Sequence, residues 1–397
     1  MSKQKVTKKF IKVNEDEVKD FLKGKVRESV EETLNSMLDA EADHLCQAQK
    51  YERSPDRVDF RAGHYNRKLS TQAGEVTLHV PKLRKMTFES QIIERYRRRE
   101  SSVEEAMMEM YLAGVSVRRV EDITESLWGM RVSSGTVSSL NKKIYVQIEE
   151  WRNRPIEGTY AYVYLDGIFL KKSWGGEVKN VSILVAFGVN DEGYREILGA
   201  MEGAKEDKES WKSFLRHLKE RGLKGIKLII SDKCLGLVES IGDFYPKAKW
   251  QRCVVHFYRN VMSQIPHHRM LEVVAMLKAI HAQEDREEAL KKSKAVAEKL
   301  KNMKLGKAAE IVASGAVETL SFMAFPRPHW RKIRTNNPLE RIMREIRRRT
   351  RVVGVFPDGE AALMLTCGRL RYVAVTKWGL KRYMNMDLLR GSQEEAA

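Results

Sequence analysis

The chain has 397 residues, 42% of them hydrophobic and 32% charged, which excludes a disordered segment and allows two or three domains around a sizeable core. Lys and Arg outnumber Asp and Glu by 72 to 54, a formal net charge of +18 that favours nucleic acid or an anionic membrane surface as partner. No apolar run approaches the ~20 residues that span a bilayer, and the basic start "MSKQKVTKKF" lacks the apolar stretch of a secretory signal, so a cytoplasmic protein acting on nucleic acid, with no membrane, is the expectation.

Residues 14–50 carry apolar side chains at three- and four-residue spacing (Val18, Phe21, Leu22, Val26, Val30, Leu34, Leu38), which predicts an amphipathic helix. Residues 51–70 are polar, basic and rich in turn formers. "GEVTLHVPKLR" then alternates Val76, Leu78 and Val80 with Glu75, Thr77 and His79, the pattern of a half-buried strand, with Lys82 and Arg84 in the basic cluster beside it. Three short helices follow over 101–151, opened by serines near Ser101, Ser116 and Ser133 or Ser134 and stopped at Gly114 and Gly129. The third is rich in Ser, Thr, Asn and Lys, Lys142 and Lys143 among them. The trio fits a helix-turn-helix or a plain helical bundle.

After Pro155 the pattern becomes strand-like. "TYAYVYLDGIFL", "VKNVSILVAFGVN" and "REILGAM" suggest a three-stranded antiparallel meander. An amphipathic helix, "KESWKSFLRHLKERG", precedes the apolar strand "IKLIISDKC", expected to be buried on both faces. A short helix and the strand "AKWQRCVVHF" complete the order β-β-β-α-β-α-β. Residues 257–325 read as mostly helical, "FPRPHW" breaks that run, and "NPLERIMREIRRRT" resumes helix with Pro338 in its first turn and Asn336 or Asn337 as cap. The four cysteines, Cys46, Cys234, Cys253 and Cys367, are scattered, as in a reducing compartment.

Two apolar strands each deliver an aspartate at or near their ends, Asp166 in "YLDG" and Asp232 in "IISD". A carboxylate there costs desolvation unless it is paired or binds metal, although Asp also caps turns and helices routinely. On the basic helix, Glu340 with Arg344 and Arg341 with Glu345 are ion pairs at i,i+4 spacing, the plain reading of both acids. The functional reading turns one glutamate off the basic face towards Asp166 and Asp232. Three converging carboxylates suit Mg²⁺ and phosphoryl transfer.

In this order, "YLDG", "IISDKCLGL", "KWQRCVVHFYRN" and "TNNPLERIMREIRRRT" resemble the Mutator-type bacterial insertion-sequence transposases. The resemblance covers roughly residues 60–375 and implies a DDE enzyme: an RNase H-like catalytic core of α/β class with a mixed sheet and an all-helical insertion, preceded by a mostly helical DNA-binding region. It places the metal-binding, catalytic acids on Asp166, Asp232 and Glu340, not Glu345, with two Mg²⁺ (or Mn²⁺) ions. The family's Cys-x-x-His pair falls on Cys253 and His256. In a strand, positions i and i+3 face opposite ways, so the pair reads as packing or site support rather than zinc ligation unless the strand ends between them. Where the family often shows a small residue and then a His after the second aspartate, this chain has Lys233 and Cys234.

The expected layout is a DNA-binding region over 1–100, a helix-turn-helix-like segment over 101–154, a core over 155–256 and 330–375, an insertion over 257–329 and a tail over 376–397. The expected function is cleavage and strand transfer of DNA at the terminal inverted repeats of the element, joining them to target DNA, by a homodimer or larger assembly at the bacterial nucleoid, with no small-molecule substrate. Phosphate contacts are expected from Lys82, Arg84, Lys142, Lys143, Arg344, Arg347, Arg348, Arg349 and Arg351. Trp330 reads as core or as a platform for an exposed base. The rival readings are a catalytically inactive, transposase-derived DNA-binding regulator and an RNase H-like nuclease.

Overall fold

The computed structural model describes residues 14–93, 98–112, 115, 117–129, 131–203 and 207–394. By internal packing the chain forms two compact units, Met1–Tyr111 with Val115–Lys142, and Leu112–Gly114 with Lys143–Ala397. No helix among the described residues is long and apolar enough to cross a membrane.

In the first unit, helix α1 (Glu15–Cys46) starts at Asn14, whose side chain accepts the Asp16 N–H, with three acids in the first turn to meet the helix dipole. Leu38 packs with Leu69, Val76, Leu78 and Val80 of the hairpin β1 (Arg61–Thr71) and β2 (Gly74–Leu83). Strand β1 corrects the reading of 51–70 as turn-rich chain. Residues 62–66 of it are all exposed, so no alternation marks it in the sequence, and backbone pairing to β2 from Arg61↔Leu83 to Thr71↔Gly74 holds it. Helices α2 (Ser101–Leu112), α3 (Val117–Trp128) and α4 (Ser134–Asn153) follow. Val103, Met107, Val120, Val132 and Leu140 form their shared core. Gly129, at φ +64, ends α3 in the left-handed region that glycine enters most easily. The expected stop at Gly114 and start at Ser116 lie outside the described residues.

The second unit is built on a mixed sheet of β3 (Tyr160–Trp174), β4 (Glu177–Asn190), β5 (Arg195–Gly203), β6 (Leu228–Ser231) and β7 (Lys249–Arg252), in the order β5-β4-β3-β6-β7. The pairs β3/β4 and β4/β5 are antiparallel, and β3/β6 and β6/β7 are parallel. Helices α5 (Lys208–Glu220) and α6 (Leu235–Phe244) cover one face, where Trp211, Phe214, Leu218 and Ile241 pack on Val163, Leu165, Leu184 and Ile229. Side chains alternate along β3, so Tyr162, Tyr164 and Asp166 take the other face.

After β7 come α7 (Val254–Met262), α8 (Met270–His281), α9 (Arg286–Asn302), α10 (Gly306–Gly315) and α11 (Arg327–Ile333). "FPRPHW" breaks the run only at Phe325 and Pro326, because helix resumes already at Arg327: Pro326 caps α11, and the second proline falls in its first turn, where no N–H is needed. The segment "AKWQRCVVHF" is likewise only half strand, ending at Arg252 before α7 begins. Helix α12 (Asn337–Val353), the short strand β8 (Val355–Phe356) and α13 (Gly359–Ala374) follow, with α12 and α13 packed on β3. β8 pairs with β3 at Lys171 and Lys172, well past the β6 pairing at 162–164. Helices α14 (Lys377–Leu380) and α15 (Asp387–Glu394) end the chain. The link between them is docked, because the Tyr383 and Met384 N–H groups both donate to the Gly193 carbonyl in the β4–β5 turn.

Candidate active site

Strands β6 and β7 end at one level, at Ser231 and Arg252, while β3 runs on past it to Trp174. β3 pairs Tyr164 with Ile230 of β6, and β6 pairs Ser231 with Arg252 of β7. Extended past those last pairs, the two registers put Asp166, within β3, level with Asp232 and Cys253, which follow the carboxyl ends of β6 and β7, where α/β sheets place their ligands. Asp166 accepts the Gly167 N–H at 2.9 Å and Asp232 accepts the Lys233 N–H at 2.7 Å, each through Oδ1. Both are half-buried.

Glu340 arrives from the first turn of α12. Asn336 sets that turn in place. It is fully buried, its Nδ2 donates to the Leu165 carbonyl at 3.0 Å, and its backbone N–H donates to Cys253 Sγ at 3.2 Å. It therefore ties the residue before Asp166, the start of α7 and the start of α12 together. It occupies the cap position as expected, yet makes no side-chain cap hydrogen bond. Asp166 and Glu340 line one cleft of about 490 Å³, with His256 and Arg259. Asp232 is not among the residues lining it.

The expected i,i+4 pairs of α12 do not form as drawn. Glu340 faces His256 Nε2 at 3.4 Å and Arg259 at 3.6 Å, both on α7. Its Oε1 is buried with no hydrogen-bond donor, and so is His256 Nδ1. Glu345 pairs with Arg348 at 2.8 Å and with Arg369 of α13 at 2.5 Å. The Arg348 hydrogen bond, helped by Arg369, holds its carboxyl below the usual carboxylate range against the opposing effect of burial. Glu340 is not turned away from the basic face either. Arg344, Arg347 and Arg351 follow it at i+4, i+7 and i+11, the spacing of one helix face, and with Arg348 they line the same cleft. Arg344, Arg347 and Arg351 are exposed and have no carboxylate partner among the described residues. Arg349 lies half-buried outside the cleft.

Cys253 caps α7, and His256 sits three residues on, in its first turn. Because the strand stops at Arg252, the two side chains lie on one side, which corrects the opposite-face reading. Burial pushes the Cys253 thiol up. The Lys233 side chain does not line the cleft. Its Nζ is 2.6 Å from Glu318, which also holds the buried Arg252 at 3.1 Å. Trp330 donates its indole N–H to the Phe325 carbonyl at 2.6 Å and meets the Phe322 ring edge-on. It does not line the cleft.

Within the first unit, Lys82 rests over the Tyr65 ring and Arg84 over Phe60, at 5.8 and 5.9 Å. Lys143 is exposed, and the Lys142 side chain lies outside the described residues. Sequence reasoning missed Arg259 and the bridging role of Asn336. Once "VVHFYRN" is helix, Arg259 follows His256 by one turn, and that spacing is the signal that was available.

The chain matches the family described as "Transposase, Mutator family" over residues 1–374. It is 37% identical over 380 residues to the transposase for insertion sequence element ISRM5 of Rhizobium meliloti, covering 94% of each chain. It is 38% identical over 359 residues to the transposase for insertion sequence element IS1081 of Mycobacterium tuberculosis, covering 90% of this chain and 86% of that one. It is 31% identical over 391 residues to the transposase for insertion sequence element IS256 in transposon Tn4001 of Staphylococcus aureus, covering 96% of this chain and all of that one.

Proposed function

We propose, from the premise that this chain belongs to the Mutator family of transposases, that it binds the terminal inverted repeats of an insertion sequence and catalyses metal-dependent DNA strand cleavage and strand transfer, with Asp166, Asp232 and Glu340 as its catalytic carboxylates. The observation that carries the reading is the shared cleft of Asp166 and Glu340, lined also by Arg344, Arg347 and Arg351, which have no acidic partner among the described residues. A phosphodiester held by Arg344, Arg347 and Arg351 lies against those carboxylates, and the charge that grips the backbone carries no sequence preference. The strand order, with the first three strands antiparallel and the last two parallel to β3, supports an RNase H-like core, and α7–α11 are then its helical insertion.

The donors suit Mg²⁺ or Mn²⁺, being carboxylate oxygens, and Glu340 Oε1 is buried with no hydrogen bond satisfying it. When bound, two such ions supply charge stabilisation for the phosphodiester and acidify the attacking water or 3′-OH. The chain's own part is to fix the acids. The Gly167 and Lys233 N–H groups orient Asp166 and Asp232, and Asn336 and Arg259 hold the Glu340 turn. All three acids act as ligands, so no covalent protein–DNA intermediate forms. Lys82, Arg84, Lys143 and the α2–α4 helices contact the element ends, and two ends are brought together by at least a dimer.

A cleavage and joining assay on duplexes carrying the element's own ends, with Mg²⁺, tests this. Glu340→Ala loses about 10²–10³-fold or more in rate, the scale of losing one preorganised electrostatic contact to the transition state, while Glu345→Ala keeps most of it. Full activity in Glu340→Ala, or loss confined to Glu345→Ala, overturns the assignment.

A further inference from the structure

We infer that Cys253, His256 and Glu340 form a site for a thiophilic divalent ion such as Zn²⁺, distinct in chemistry from the all-oxygen set of Asp166, Asp232 and Glu340. The Cys253 thiol, the His256 imidazole and the Glu340 carboxylate each offer one donor atom, and the three atoms all lie within 4.8 Å of one another. Zinc ligands at the corners of a tetrahedron are about 3.3–3.8 Å apart given bond lengths of ~2.0–2.3 Å. The His256–Glu340 edge already measures 3.4 Å. The two edges to the sulfur are no longer than 4.8 Å.

Three further features favour metal. The donors come from the α7 cap, the first turn of α7 and the first turn of α12, all held by the buried Asn336. Glu340 Oε1 is buried and accepts no hydrogen bond. The cleft reaches His256 and Glu340, which opens an entry path and leaves the fourth position to water. Sulfur, nitrogen and oxygen together select a softer ion than Mg²⁺, which prefers oxygen and keeps its waters. On binding, the thiol proton leaves to solvent.

The two sets share Glu340. An ion on Cys253 and His256 holds that carboxylate away from the Asp166 side, so Zn²⁺ competes with Mg²⁺. This consequence rests on the catalytic assignment of Glu340, whereas the binding does not.

Titrating Co²⁺ into the metal-stripped full chain tests the site without any activity. Wild type gives a thiolate-to-cobalt charge-transfer band that saturates at one equivalent and is displaced by Zn²⁺. Cys253→Ser and His256→Ala both lose it. His256→Ala leaves the buried thiol in place, so its loss of the band does not report a disturbed core. Cys234→Ser and Asp166→Asn keep it. No band in wild type, or a band that survives Cys253→Ser or His256→Ala, overturns the site. In the cleavage assay, Zn²⁺ at ten times its dissociation constant raises the Mg²⁺ needed for half-maximal rate about tenfold, as mass action requires for exclusive binding. Zn²⁺ inhibition that no amount of Mg²⁺ relieves overturns the shared ligand while leaving the cobalt result standing. Full activity in Glu340→Ala overturns the catalytic reading alone.

Discussion

Glu340 and Glu345 are five residues apart on one helix and live in different electrostatic settings. Glu345 is held by two guanidiniums, Arg348 and Arg369. Glu340 faces a histidine and a more distant arginine, with one oxygen buried and unsatisfied. The pairing of Glu345 makes a pH prediction. Its folded-state pKa lies below the ordinary value, so the unfolded chain takes up the proton first as pH falls. The stabilisation is present above the ordinary carboxylate pKa of ~4.3 and is lost as pH drops through the lowered folded value. Glu345→Gln therefore lowers thermal stability slightly at neutral pH and flattens the fall on the acid side. A melting series across acid pH checks it, and an unchanged acid limb contradicts the pairing.

Among the elements, α12 matters through its attachment. Asn336→Ala strips the donor from the buried Leu165 carbonyl, which costs about 1–3 kcal/mol for an unsatisfied buried group. It also frees the turn that carries Glu340, so cleavage falls by more than the loss of folded protein explains. Activity per folded molecule, measured beside urea unfolding, separates the two effects. The β4–β5 turn has a comparable dependence on the C-terminal segment. Gly193 sits at φ +88, and a Cβ there collides with the Met384 carbonyl. Gly193→Ala then costs about 1–3 kcal/mol from the left-handed backbone alone, and it raises protease cleavage between Lys381 and Asn385. Unchanged protection there refutes the docking.

For the whole molecule, the net charge of +18 becomes useful where it is not cancelled locally. Arg344, Arg347 and Arg351 lack acidic partners among the described residues and line the cleft, whereas Arg348 is spent on Glu345. Each true phosphate contact adds ~0.9 to the slope of log affinity against log salt. Removing the three together lowers that slope by about that amount per arginine and weakens binding to any DNA sequence alike. Arg348→Ala changes it less. A binding titration across salt concentrations on two unrelated duplexes checks both expectations.

Much of this was legible in the residues because it depends on local periodicity. The order β-β-β-α-β-α-β after Pro155 and the helix over "NPLERIMREIRRRT" come from short-range pattern, and the choice of Glu340 beside Asp166 and Asp232 comes from the resemblance. Strand β1 was not legible, because its residues are mostly exposed and only its partner strand orders it. The partners of the acids of α12 were not either, because spacing along one helix does not show that α7 meets Glu340 and α13 meets Glu345. The end of β7 decided the relation of Cys253 to His256, and a one-residue change in where a strand stops inverts which way a side chain points. The sequence by itself carried the resemblance to the family, and through it the acids worth testing. The tertiary structure decided that Glu340 shares a cleft with Asp166 and with three arginines that have no acidic partner among the described residues, and that a thiol, an imidazole and the same carboxylate meet beside it, because strand register and helix packing join residues that lie 83 and 171 positions apart.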